Sequence, residues 1–226
     1  MTNGKPVALW AVPRSVSTAF ERAFLERGDF KVFHEPFSAS YYYSTERRSD
    51  RYANKEPKEE YDRENVLARI LEPREKRVFF KDMAYHTANF MNRDFASKFT
   101  NTFIIRDPTP VISSLNRFWA DFTLEETGYE QLYRLFGLAV ENGEEPAIVD
   151  ASDLLGNPEA TVAAYCAKLD IPFMSEALSW ERTRCLNGRC GQSGTRRPKR
   201  ARASKNSRLK TIRRSLKAWK RSTDTV

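Results

Sequence analysis

Short apolar runs alternate with amphipathic stretches through the first three quarters of the chain. Uninterrupted or nearly uninterrupted apolar runs predict strands over 7–12, 30–33, 77–82, 101–106 and 147–150. Between them, apolar residues recur at steps of three and four, predicting helices over 17–27, 61–71, 86–97, 109–121, 127–142 and 158–169. Strands separated by helices imply a parallel sheet covered on both faces, an α/β three-layer sandwich. Ligands in such sheets bind at the turn-ends of the strands.

Two segments break the rhythm. Residues 37–62 carry Tyr41, Tyr42 and Tyr43 and then a highly charged stretch, a candidate acceptor lid whose aromatic residues suit a phenolic or hydrophobic molecule. A polar surface loop is the plainer reading. Residues 182–226 hold 16 Lys or Arg and one acid, Asp224, leaving 22 basic and 29 acidic residues in the remainder. The net charge of +8 therefore joins a body of about −7 to a tail of about +15. Such a tail suits nucleic acid, anionic lipid or an importin-like receptor, or is simply a solvated charge run. A shifted reading frame or degenerate end is the third explanation.

At 226 residues and 40% hydrophobic content, the chain suffices for one sizeable core, expected over 1–181. No apolar run approaches the roughly 18 residues of a membrane span, and no basic-then-apolar leader opens the chain, so a cytoplasmic location is expected. Cys166, Cys185 and Cys190 are too few and too unevenly spaced for a disulfide framework. No histidines complete a zinc set with them, and Cys166 falls on an apolar helix face.

Candidate chemistry lies where strands end. After the first strand, Pro13-Arg14-Ser15-Val16-Ser17-Thr18 leads into a helix, whose unpaired N–H groups and positive dipole end favour an anion. Ser17 and Thr18 are candidate caps, and Arg14 adds a forked cationic donor. The ATP/GTP pattern G-x-x-x-x-G-K-[ST] is absent, with neither glycine nor lysine between Leu9 and Thr18. After the fourth strand, Arg106-Asp107-Pro108 opens another helix, with Ser114 nearly two turns in, where it and Arg106 would grip a phosphate from two sides.

Together these two segments resemble the cofactor motifs of the sulfotransferase superfamily, whose members use 3′-phosphoadenosine 5′-phosphosulfate (PAPS) on a P-loop nucleotide-binding type of fold. The resemblance implies that Arg14, Ser15, Ser17 and Thr18 hold the 5′-phosphosulfate, and that Arg106 and Ser114 hold the 3′-phosphate. The run Ile148-Val149-Asp150-Ala151-Ser152-Asp153-Leu154 looks like the family's late strand and acidic-Leu turn, so the resemblance covers about residues 7–180. Ala151 stands where many cytosolic members place an adenine-contacting tyrosine. Arg189-Cys190-Gly191-Gln192-Ser193-Gly194 resembles the late Arg-x-Gly-x-x-Gly loop only weakly, since the usual following tryptophan is missing.

Sulfuryl transfer to a hydroxyl needs in-line placement, cationic stabilisation and a base. The second strand ends in Phe33-His34-Glu35-Pro36-Phe37, which supplies two candidate bases. Adjacent residues of an extended segment point to opposite sides, so one of the pair is expected to face the acceptor. Several bacterial and Golgi-type members place a glutamate here, which favours Glu35, with its pKa raised by burial against Phe33 and Phe37. His34 titrates in the useful range unaided and otherwise orients. Lys81 matches the lysine of the family's Lys-Thr-His strand end, which assists the leaving group. The histidine position is Met83, while His86 lies nearby and is expected to open the next helix. The plainer reading of Lys81 and Asp82 is a surface ion pair.

The leading expectation is a PAPS-dependent sulfotransferase acting on a small hydroxyl acceptor, with Arg14 and Lys81 offsetting charge, Glu35 taking the proton and no metal required. The alternatives are a catalytically impaired relative with an incomplete C-terminus, and a nucleotide or nucleic-acid binding module that uses the tail. An ATP- and Mg²⁺-dependent small-molecule kinase is more distant.

Overall fold

A computed structural model describes residues 4–179, so the basic tail and the Arg189–Gly194 motif lie outside the described residues. In chain order the described elements are β1 (Val7–Ala11), α1 (Ser17–Arg27), β2 (Phe30–His34), α2 (Ser38–Tyr43), α3 (Arg63–Leu71) and β3 (Arg77–Met83). They continue with α4 (Arg93–Ser97), β4 (Thr100–Ile105), α5 (Pro108–Phe118), α6 (Tyr129–Glu141), β5 (Ala147–Asp150), α7 (Ala151–Gly156) and α8 (Pro158–Lys168).

All four strand pairings are parallel, in the order β2-β3-β1-β4-β5. The sheet is five-stranded and covered on both faces, as the alternation of patterns predicts. β1 lies at its centre, and all five of its residues are fully buried. Its register pairs Leu9 with Lys81 on one side and with Thr102 on the other. Five turn-ends therefore stand in a row: those after His34, Met83, Ala11, Ile105 and Asp150.

Alternation along β1 divides the core. Ala8 and Trp10 join Phe37, Phe80, Phe95, Phe99 and residues of α3, α5 and α6 on one face. Val7, Leu9 and Ala11 join Phe20 and Phe24 of α1, Phe79, and Tyr165 and Cys166 of α8 on the other. Phe24 and Phe79 stack with ring centroids 4.0 Å apart. One polar knot crosses the first face: Asn101 accepts from Trp10 Nε1 at 2.9 Å and donates to Glu144 Oε1 at 2.8 Å and Ala96 O at 2.9 Å.

Strand ends fall within a residue or two of expectation, whereas the helix expected over 86–97 is broken. Ala84–Thr87 form a 3₁₀ turn, Thr87 O accepts from the N–H groups of both Phe90 and Met91, and Asn92 then caps α4 through its bond from Phe95 N at 2.8 Å. An asparagine that bonds forward along its own backbone starts a helix rather than continuing one.

The 37–62 segment is packed down rather than open. α2 buries Tyr41 and Tyr42, and residues 44–57 form a loop whose base is closed by Lys58 N donating to Tyr43 O at 2.9 Å. Arg48 donates from two nitrogens to Glu125, and Arg51 bonds Glu126 and Asp121 while lying 4.3 Å over the Trp119 ring. Tyr41 donates to Glu125 at 2.7 Å, and Tyr42 lies 3.2 Å from Tyr85 Oη.

Candidate active site

The loop between β1 and α1 owes its shape to two left-handed residues, Arg14 at φ 58° and Val16 at φ 60°. Left-handed backbone at alternate positions turns successive N–H groups to one side, forming a concave anion nest. Among the described residues no acceptor meets the N–H of Ser15, Val16, Ser17 or Thr18. The capping role expected of Ser17 and Thr18 is not realised. The cap position is Val16, without a side-chain bond, and Ser17 is the first residue of α1, buried, with Thr18 exposed beside it. The Ser15 hydroxyl also turns inward, donating to Val12 O at 2.7 Å. Ser15 thus offers a ligand its N–H and not its hydroxyl.

Arg14, Arg106 and Ser114 come together as expected, but through one another. Arg14 Nε donates to Ser114 Oγ at 2.8 Å, and the Arg106 guanidinium donates to Arg14 O. Arg106 is held in turn by its own backbone, since Tyr129 Oη donates to Arg106 O at 2.9 Å. α5 starts where its sequence signals: Asp107 accepts from Thr109 N at 2.8 Å, and Pro108 takes the first helical position. An exposed Arg14, a half-buried Arg106 and unpaired N–H groups thus stand together, the chemistry a phosphate or phosphosulfate requires. These residues fit PAPS.

On the two strands to the other side of β1, β3 and β2, stands an ionic cluster. Lys81 is fully buried and donates to Glu35 Oε1, while Glu35 N donates to Lys81 O at 2.7 Å. His34 Nε2 lies 3.7 Å from the same Glu35 oxygen, and His34 Nδ1 lies 2.7 Å from Glu21 Oε2 of α1. The expectation that His34 and Glu35 face opposite sides fails for a local reason. The strand ends at His34, and Glu35, at φ 44°, abandons the extended geometry on which alternation depends.

The raised pKa expected of Glu35 also fails. Burial does push the carboxyl upward, but Lys81, then His86 and His34, outweigh it and hold the group down to about 2. His34 is shifted upward, chiefly through its hydrogen bond to Glu21 and against the opposing effect of burial. Lys81 and Asp82 are no surface pair. Asp82 is fully buried, accepting from Phe37 N at 2.7 Å and Met83 N at 2.8 Å, and lies 2.6 Å from His86 Nδ1.

His86 is the member that sequence reasoning underrated, since it begins no helix. It sits buried in the 3₁₀ turn after β3, its ring 4.4 Å from that of Tyr85 and flanked by Tyr41 and Tyr42. The one available signal was its spacing four residues after Asp82. Three of the four positive-φ non-glycine residues among those described, Arg14, Val16 and Glu35, belong to this site. Such conformations cost on the order of 1–3 kcal/mol each and persist where the surroundings over-determine them. Among the described residues no group of three or more His, Cys, Asp or Glu is placed to hold a metal, and no helix is long and apolar enough to cross a membrane.

Comparison with known proteins bears on this geometry. Branched-chain-amino-acid aminotransferase-like protein 2 of Arabidopsis thaliana is 31% identical over 176 residues, 76% of this chain and 31% of its own. Its relative, protein 1, is 27% identical over 185 residues, 80% of this chain and 33% of its own. The chain thus spans about a third of the length of these curated relatives, whose names describe much longer proteins. A sulfotransferase from Alicyclobacillus acidocaldarius shares the fold at a TM-score of 0.51 and 10% identity, over 80% of this chain and 87% of its own. Residues 5–188, which include the anion nest and every strand end described above, match the sulfotransferase domain, and the chain belongs to that family.

Proposed function

We propose that the protein transfers a sulfuryl group from PAPS to a hydroxyl of a small-molecule acceptor. The supporting observation is the order of the strand ends: the unpaired N–H groups after β1 are flanked by Arg106 after β4 and by Lys81, two residues before the end of β3, with Glu35 next in line. In this reading Arg14 and the N–H groups of Ser15, Val16, Ser17 and Thr18 hold the 5′-phosphosulfate, and Arg106 with Ser114 holds the 3′-phosphate.

PAPS supplies an already activated sulfuryl group, so the chain's own residues have to align, neutralise and take up a proton. Lys81 serves two partners in turn. At rest it neutralises Glu35; during transfer its ammonium meets negative charge developing near the loop. As it leaves Glu35, the carboxylate loses the strongest influence holding its pKa down while burial continues to raise it. Glu35 thereby becomes the stronger base when the acceptor oxygen forms its bond to sulfur and the bond from sulfur to the bridging oxygen breaks. The acceptor proton passes to Glu35. His34, tied to Glu21, orients beside it, and Asp82 fixes His86 at the rear of the cluster.

The test is calorimetric binding of 3′-phosphoadenosine 5′-phosphate to the full chain, with ATP and AMP as competitors. Selective binding, weakened at least tenfold in Arg106→Ala, with Glu35→Gln binding normally but turning over slowly, is the expected result. Equal affinity for ATP, or loss of binding in Glu35→Gln, overturns the assignment.

A further inference from the structure

We infer that the cleft beside Glu35 receives the acceptor and selects one that carries an anionic group as well as its hydroxyl. This rests on the sulfotransferase reading above and names the substrate class it takes. The cleft has a volume of about 250 Å³, room for an acceptor built on a single ring. Glu35 and His34 form one wall, and Phe33 with Val66 and Ile70 of α3 forms another. Val66 and Ile70 are buried one helical turn apart, while Arg69, between them in sequence, lines the same cleft and reaches solvent.

The charges around the cleft do not balance. Glu35 is matched by Lys81, and His34 by Glu21. Arg74, whose guanidinium lies 5.3 Å from the Phe33 ring centroid, is matched by Glu72. Arg69 pairs with no acidic group among the described residues, and neither does exposed Lys31, whose ammonium lies 5.7 Å from the centroid of the Phe33 ring outside the cleft's own lining. Two uncompensated positive charges thus border an apolar wall whose far end is a proton acceptor. A neutral phenol uses the wall and Glu35 only. A hydroxy acid uses all three, placing its hydroxyl toward Glu35, its apolar body against Phe33, Val66 and Ile70, and its carboxylate on Arg69, where a forked, charge-assisted contact is available.

The experiment compares 4-hydroxyphenylacetate with 4-(2-hydroxyethyl)phenol, which has nearly the same shape and no charge. Binding of each to the full chain is measured by calorimetry, with and without saturating 3′-phosphoadenosine 5′-phosphate. Tighter binding of the carboxylate by about tenfold or more, reduced to parity in Arg69→Gln, is the expected result. Equal binding of the two probes, binding of neither, or a preference that survives Arg69→Gln overturns the inference. Because the nucleotide is titrated in the same series, failure of the acceptor inference with intact nucleotide binding is distinguished from failure of the sulfotransferase reading. Glu35→Gln serves as a further control: it retains the charge preference, since Arg69 carries it.

Discussion

Lys81→Met removes the charge that holds the ionic cluster together while keeping a side chain of similar length. Lys81 is fully buried and the Glu35 side chain is 24% exposed, so the carboxylate left behind has little water to replace its partner. The Glu35 carboxyl stands at about 2 against an ordinary 4.5, which at 1.36 kcal/mol per unit means its surroundings favour the ionised form by about 3 kcal/mol. Without Lys81, burial is opposed only by His86 and His34, so the pKa rises from about 2 and the proton affinity of the carboxyl increases. Stranding one partner of a buried pair costs about 3–5 kcal/mol at neutral pH.

The pH dependence carries the sign. In the wild type, Glu35 is depressed, so its stabilising contribution is complete above about pH 4.5 and is lost as pH falls through about 2. In Lys81→Met the pKa is higher than in the wild type, so less of that contribution remains at neutral pH while the two proteins converge once the carboxyl is protonated in both. The difference in unfolding free energy between the two proteins should therefore be largest near pH 7 and shrink toward pH 3. Chemical denaturation across that range measures it, and a carboxyl-carbon NMR titration of Glu35 reads the pKa directly. Lys81→Met combined with Glu35→Gln should recover most of the loss. A pH-independent gap below 1 kcal/mol, or a double variant no more stable than the single one, would refute the assignment of Lys81 as the group that controls Glu35.

Asn101→Leu strands the buried Trp10 N–H and takes the amide donor from Ala96 O and Glu144 Oε1, while Glu144 Oε2 keeps its bond from the backbone N–H of residue 101, and should cost about 1–3 kcal/mol, seen as a lower denaturation midpoint at unchanged slope; a loss under about 0.5 kcal/mol would mean these bonds exchange freely with water. Arg51→Ala unpins residues 44–57 and leaves Glu126, 1% exposed, without its cation, which should cost about 3 kcal/mol and speed proteolytic cleavage inside that loop. An unchanged cleavage rate and melting temperature would show that Arg48 and the tyrosines hold the loop without Arg51.

The sheet was legible because its signal is redundant: five separate apolar runs, each between helical patterns, admit few arrangements other than a parallel sheet. Finer features turned on single polar contacts. The split of the 86–97 helix depends on Asn92 bonding Phe95 N, and the packing of 37–62 depends on Arg48 and Arg51 finding Glu125 and Glu126 more than 70 residues away. A local pattern records neither partner. Arg14, Arg106 and Ser114, the residues proposed to bind phosphate, were legible as neighbours because strand ends collect in one place, yet the bonds that tie them to one another were not.

The misreadings at Glu35 share one cause with the shape of the loop after β1. Alternation along a strand and burial beside phenylalanines both presume that the backbone stays extended and that nearby charges are absent. At Glu35 the backbone turns left-handed, which swings the carboxylate beside His34 and onto Lys81, and the local rule fails at the residue where the chemistry is proposed. Arg14 and Val16 depart from the ordinary backbone in the same way, and there the departure frees four N–H groups. Neither valine nor glutamate favours this conformation, and a fold with no use for it would place glycine at such turns. Glycine at position 16 should therefore relieve the backbone cost while loosening the anion nest, read as weaker binding of 3′-phosphoadenosine 5′-phosphate, whereas glycine at position 35 relieves the same cost but strands buried Lys81 and should lower stability overall.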